Sequence, residues 1–358
     1  MTEHPVTGRR LGFFTRLLDD APPAERYRLA AEQIAHAERH GFDTAWVAQH
    51  HFSATEGGLP APLVLLAHVA AKTSRIRLGT GIITLPLEHP VRVAEDTAVL
   101  DQLSGGRLEV GVGSGGTPSS FAAFGRESAE RAALYAEHLA VLVNAWSGGD
   151  LGGGNRLYPA APRLLGAVWE ATFSVGGGER AGRAGNGLML SRTQPRPKDA
   201  PGLTLAEIQR PIVDAYYEHL PAGAAPRIMA SRTAFVADTR EEALRYAETG
   251  LARAVRHFEL SGFPVPADGG IERLVAAFDV HVGTPDDVIA SLRADPTLDR
   301  VTDLVFQVHS VDPPHPRILR SIELLATEVA PALGWAPPSP DGLSPANTSP
   351  SPSLHRTN

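Results

Sequence analysis

Short apolar runs alternate along this chain with segments whose apolar residues recur at helical spacing. That alternation limits the fold more than any other feature. Leu11–Leu17, Thr44–Gln49, Ile76–Leu85, Leu108–Gly113, Val168–Ser174, Gly187–Ser191, Ile228–Ala237 and Leu304–His309 read as strands. Glu25–His40, Leu63–Lys72, Val91–Leu103, Ala129–Trp146, Glu179–Ala184, Leu205–His219, Arg240–His257 and Arg317–Ala332 read as the helices between them. A further helix, Pro285–Ala294, follows Thr284, whose hydroxyl suits an N-cap. The strand runs are continuous, as expected when both faces of a sheet are covered. Such strand–helix units predict a parallel α/β fold closed into a (β/α)8 TIM barrel with short insertions, its site at the C-terminal strand ends. An open doubly wound sheet is the other architecture with this pattern.

Residues 10–336 read as one barrel domain behind a flexible N-terminus, residues 1–9. Residues 337–358 are Pro- and Ser-rich and nearly free of large apolar side chains, so they predict a disordered tail that cannot offset its ordering entropy. Ser147–Gly166 reads as a Gly- and Pro-rich connection and Phe258–Phe278 as an insertion.

Composition excludes several chemistries. The chain has no cysteine, which removes disulfides, thiolate nucleophiles, Fe–S clusters and zinc–thiolate sites. A formal charge of −7 offers no basic field for nucleic acid or anionic lipid. The N-terminus lacks the apolar stretch of a signal peptide, and no run is long enough to span a bilayer. A cytoplasmic protein is expected.

Two glycine clusters follow strands. Gly111, Gly113 and Gly116 fit the dinucleotide pattern G-x-G-x-x-G, but the fourth strand carries them, no long regular helix starts directly behind, and no acid ends a clear next strand. They read better as a βα loop whose backbone N–H groups approach an anion, or as a plain tight turn. Gly176, Gly177 and Gly178 lie between a strand end and a short helix, where free N–H groups bind phosphate readily. His50 and His51 end the second strand and point to opposite faces, so they do not share a metal, and no metal site is expected. One of them can face the barrel mouth and move a proton near neutral pH. Ser114 lacks the setting of a nucleophilic serine.

These pieces occur in the order known from one family. Gly41–Phe52 resembles the segment of bacterial luciferase-like flavin monooxygenases that ends in Glu-His-His-Phe. Leu78–Ile82, His89–Arg92, Glu95–Asp96, Leu100–Arg107, Gly187–Ser191 and Gly283–Pro285 agree in order, densely over residues 10–130 and collinearly to about residue 333. The resemblance implies a TIM barrel that uses reduced flavin mononucleotide (FMN) and O₂, a flavin C4a-hydroperoxide oxidising the substrate. It gives His50 the role of supporting that species and doing acid–base work. Thr80, Gly81 and Ile82 match the segment beside the isoalloxazine ring, with a non-proline cis bond between Gly81 and Ile82. Ser174, Val175, Gly176, Gly177 and Gly178 match the phosphate loop. Arg131 matches a phosphate arginine after a one-residue gap. Ser114 stands where luciferase has an arginine, so the grip there rests on backbone N–H groups and Arg131. Gln49 replaces the acid before the two histidines.

The resemblance implies a two-component FMN-dependent monooxygenase, supplied by a separate flavin reductase and assembled as a homodimer. An F420-dependent hydride-transfer oxidoreductase of the same fold and a non-catalytic flavin-binding protein are the alternatives. The expected substrate is a neutral, apolar-to-aromatic small molecule, with Phe14, Trp46, Phe52, Phe121, Phe173 and Phe306 available to line the mouth. The segment Phe258–Phe278 is short where luciferase has a long loop, which argues against light emission on a long aldehyde.

Overall fold

The structure, a computed structural model, describes residues 8–197, 199–260, 270–308 and 313–335. Residues 1–7 and 337–358, expected to be loose, lie outside the described residues. The strands are β1 (Arg10–Thr15), β2 (Thr44–Val47), β3 (Arg77–Thr80), β4 (Ile83–Thr84), β5 (Leu108–Gly113), β6 (Val168–Ala171), β7 (Gly187–Leu190), β8 (Ile228–Val236), β9 (Val280–Gly283) and β10 (Asp303–Gln307). The helices are α1 (Pro23–Arg39), α2 (Pro62–Ala70), α3 (Pro90–Leu103), α4 (Pro118–Ala123), α5 (Arg131–Trp146), α6 (Val175–Ala184), α7 (Leu205–His219), α8 (Arg240–Leu260), α9 (Gly270–Ala277), α10 (Pro285–Arg293) and α11 (His315–Leu324).

All pairings are parallel. The order β1-β2-β3-β5-β6-β7-β8-β10 closes on itself, because β10 pairs with β8 on one edge and with β1 on the other. The expected barrel is therefore present, and the open sheet is ruled out. β4 and β9 are additions at the C-terminal rim: β4 pairs with β5, and β9 with the second half of the nine-residue β8.

Several boundaries differ from the sequence reading. The run Ile76–Leu85 is broken between β3 and β4 by a cis peptide joining Gly81 to Ile82, the bond the resemblance implied. Helix α6 starts at Val175, so the three glycines form its first turn instead of a preceding loop. Glycine is a poor helix former and hides the start. Within the expected insertion, α8 runs on to Leu260 and α9 occupies Gly270–Ala277, while residues 261–269 lie outside the described residues. Strand β9 was not anticipated, since four residues containing a histidine give too short a pattern. Thr284 does cap α10, its hydroxyl accepting from Asp287 N–H while the Asp287 carboxylate accepts from Thr284 N–H.

The barrel interior is layered. At the N-terminal end, Arg10 lies against both Glu109 and Asp303, and Arg77 Nε donates to Glu109 at 2.5 Å. Above this polar floor sit Trp46, Trp169, Met189, Met229 and Val305, with the two indoles edge-on at 5.6 Å. The indoles fit because their neighbours have no side chain. A Cβ on Gly79 would lie 2.2 Å from the Trp46 ring, and one on Gly187 2.3 Å from that of Trp169. The floor and the tryptophan layer fill the lower barrel, which leaves room only at the C-terminal rim.

Candidate active site

That room is a cavity of about 920 Å³ at the C-terminal strand ends, where barrel sites form. Its wall includes Phe14 from β1, His50 after β2, Gly81 and Ile82 after β3, Thr172 and Phe173 after β6, and Arg192 after β7. Its size is near the upper end for small-molecule pockets and admits a flat tricyclic ring together with a small substrate.

His50 sits three residues beyond β2 and its backbone N–H donates to Leu59 O at 3.0 Å. Its imidazole Nδ1 stands 3.4 Å from Glu56 Oε2, and Glu56 also lines the cavity. Glu56 was not picked out from the sequence, because it lies in a turn of A-T-E-G-G with no periodic signal. His51 turns away, as expected, into an aromatic group with Phe52 and Phe124, its ring 4.9 Å from Phe124. Burial lowers the His51 pKa, which favours the neutral ring.

Gln49 joins three partners. Its Oε1 accepts the Thr84 N–H at 2.6 Å, and its Nε2 donates to Glu88 Oε1 at 2.7 Å and to Pro60 O at 3.0 Å. One amide thus ties β2 to the segment that follows the cis bond. Both functions need an acceptor and a donor on one side chain, which glutamine has and a carboxylate lacks. On the other side of that bond, Thr80 is fully buried and its hydroxyl is used up on the Gly111 backbone, so it supports the Gly81–Ile82 segment from behind.

The expected phosphate residues are only partly gathered. Ser174 caps α6, its hydroxyl accepting the Gly177 N–H at 3.2 Å. Gly177 and Gly178 are required by packing: a Cβ would lie 1.9 Å from Thr172 Oγ1 and 2.4 Å from Ile212 O respectively. Only Gly176 faces open space, and Val175 is exposed. The first turn of α6 adjoins the rim through Thr172 and Phe173. Ser114 and Arg131 do not line the cavity: Ser114 is half-buried in the loop after β5, and Arg131 is exposed at the start of α5 with Nη1 donating to Ser128 O at 3.1 Å. The aromatic lining also differs from expectation. Phe14 and Phe173 reach the cavity, while Trp46, Phe121 and Phe306 are buried outside its wall and Phe52 is 76% exposed.

The largest departure is charge. Arg16, Arg26, Arg192 and Arg253 line the cavity against Asp20 and Glu56. Arg16 and Arg192 each lie just beyond a barrel strand, and a charged residue at such a position is the sequence signal that could have found them. No group of three potential metal ligands occurs among the described residues, and no described helix is long and apolar enough to cross a membrane.

This is the barrel of a known class, and similarity to other proteins agrees. The luciferase-like monooxygenase family matches residues 11–295. The chain belongs to that family. Protein y4vJ of Sinorhizobium fredii is 35% identical over 173 residues, 46% of this chain and 49% of the relative. The 4-hydroxyprotoasukamycin monooxygenase of Streptomyces nodosus subsp. asukaensis is 29% identical over 72% of this chain and 73% of its own length. The chain spans about half the length of y4vJ, its first curated match. Among solved structures, monooxygenase RslO1 from Streptomyces bottropensis superposes with a TM-score of 0.71 at 26% identity, covering 90% of this chain and 99% of that one. The oxygenating constituent of 3,6-diketocamphane monooxygenase from Pseudomonas putida, solved with FMN, gives 0.73 at 19% identity over 91% and 98%. The F420-dependent tetrahydromethanopterin reductase from Methanopyrus kandleri gives 0.64 at 19% over 91% and 99%. The last two identities speak for the fold alone.

Proposed function

We propose that this chain is the oxygenating component of a two-component FMN-dependent monooxygenase, taking reduced FMN from a separate flavin reductase and acting on a small organic substrate. The observation that carries the reading is the convergence of His50 and the cis Gly81–Ile82 segment on one cavity at the barrel rim. Bound there, reduced FMN would supply the electrons that activate O₂.

The chain's own residues supply position and protons. Gly81 and Ile82 offer a flat stretch of wall, held by Gln49 and Thr80 from either side. The open first turn of α6, capped by Ser174 and opened by Gly176, offers N–H groups and a helix dipole to a phosphate. The Glu56 carboxylate favours a proton on His50 Nδ1, which leaves Nε2 to accept or donate a proton within the cavity. Phe14, Met189 and Phe173 cover the site with apolar surface and exclude water. A homodimer and a cytoplasmic location belong to the same proposal.

The test loads the chain anaerobically with reduced FMN, then admits isotopically labelled O₂ with candidate substrates. One labelled oxygen in the product, with FMN bound in preference to F420, is the expected result. Anaerobic reduction of F420 by a substrate would replace this reading with hydride transfer on the same barrel. Tight flavin binding without any turnover would indicate a non-catalytic flavin-binding protein.

A further inference from the structure

Two guanidinium groups of the cavity form no ion pair among the described residues. Arg192 Nε donates to Gln307 Oε1 at 2.6 Å and Nη1 to Thr233 Oγ1 at 3.4 Å, both neutral acceptors. Arg16 forms no ion pair among the described residues, although it feels the charge of Glu56 across the cavity. Glu56 also faces His50, at 3.4 Å from Nδ1. Burial pushes the Arg192 guanidinium down to about 9, with the nearby Arg16 charge adding to the fall, and burial lowers Arg16 as well. Arg192 stays charged at neutral pH. Two like charges, half-buried and without an ion pair among the described residues, are costly unless a ligand neutralises them. The chain as a whole is acidic at −7, so a cationic cavity is a local arrangement and not a general tendency.

Position separates Arg16 from the first turn of α6, the proposed phosphate site. In the closed ring β1 lies opposite β6: four steps lead from β6 through β7, β8 and β10 to β1. Arg16 follows β1; Arg192 follows β7, the neighbour of β6, and its guanidinium leans across onto β8 and β10. Helix α6, which follows β6, stands across the mouth, with His50, Gly81 and Ile82 on the β2–β3 side of the cavity. A molecule spanning the mouth meets Arg16 on one side and Thr172 and Phe173, which lead into α6, on the other.

We propose that Arg16 and Arg192 bind the carboxylate of the substrate, which is a small organic acid whose carbon skeleton lies against Phe14, Met189 and Met229. A planar carboxylate matches guanidinium forks and takes hydrogen bonds from both. The proposal rests on the flavin reading for its choice of substrate over cofactor, since the same chemistry would hold the flavin phosphate.

Calorimetric titration of the full chain with benzoate and with neutral benzamide separates the cases. Loaded with FMN, the wild type is expected to bind benzoate at least about tenfold more tightly than benzamide. Arg16→Met and Arg192→Met are each expected to weaken benzoate about tenfold while FMN affinity stays within about twofold. Equal affinity for benzoate and benzamide overturns the proposal, and this comparison needs no variant to fold. Loss of FMN affinity with benzoate unchanged also overturns it, assigning the arginines to the flavin phosphate and keeping the flavin reading. If FMN does not bind but benzoate still prefers the wild type in an arginine-dependent way, the flavin reading fails and the carboxylate site stands.

Discussion

Gln49 holds Thr84 by its backbone N–H at 2.6 Å, and in doing so fixes the chain just beyond the cis peptide that lines the cavity. The same side chain donates to Glu88. Gln49→Glu would keep the acceptor, lose the donor and set two carboxylates together. We expect a loss of about 2 kcal/mol in unfolding free energy at neutral pH. Like-charge repulsion raises the new carboxyl's pKa, so the loss should shrink as pH falls and that group takes a proton. Urea unfolding at pH 7.5 and pH 5 checks both the size and the sign.

Thr80 and Gly111 exchange two hydrogen bonds, 2.8 Å from the hydroxyl to the carbonyl and 2.9 Å from the N–H to the hydroxyl. Thr80→Val keeps the shape and leaves both backbone groups unpaired in a buried site. It should cost about 2 kcal/mol, whereas Thr80→Ser should cost much less. Equal losses in chemical denaturation would show that the methyl group matters and the hydroxyl does not.

The three glycines of α6 should behave differently. Gly178→Ala drives a Cβ against Ile212 O in α7 and should destabilise by about 2 kcal/mol. Gly176→Ala meets nothing and should leave stability within about 0.5 kcal/mol. If a phosphate approaches that open side, Gly176→Ala should still weaken FMN about tenfold. Fluorescence titration of FMN beside thermal unfolding separates the two effects.

His281 in β9 is buried, its Nδ1 2.8 Å from Ser291 Oγ, and burial pushes its pKa down to about 4. The unfolded chain protonates this histidine near pH 6.5, the folded chain only near 4. The stability from burying the neutral ring is full above about pH 6.5 and is lost as pH falls toward 4. We expect His281→Asn to remove on the order of 2 kcal/mol of the destabilisation between pH 7 and pH 5. Unfolding midpoints at those two pH values, wild type against variant, measure it.

The barrel was legible because its evidence is periodic. Each barrel strand is a short, mostly buried apolar run followed by a helical stretch, and no tertiary knowledge is needed to count them. The cis bond was legible only through resemblance, since nothing local distinguishes Gly81 from the other strand glycines; strand alternation put one of His50 and His51 at the mouth, and the resemblance chose His50. What escaped depends on the direction of single side chains. Arg16 and Arg192 carry no motif that singles them out, and only the closed ring brings them into one cavity. Arg131 shows the reverse: its position on the chain suited a phosphate contact, but its side chain turns back to Ser128 at the start of α5. Trp46 was misplaced because an aromatic near a strand end can fill the barrel as easily as line its mouth, and Gly79 opens the space that takes it inward.

The central claim is that His50 works beside reduced FMN in this cavity. The direct measurement is stopped-flow mixing of the reduced-FMN-loaded chain with O₂, following flavin absorbance and hydrogen peroxide release in wild type and His50→Ala. Retained FMN affinity with peroxide released about a hundredfold faster is the expected result for the variant. Identical flavin kinetics and peroxide release in the two proteins would contradict the account.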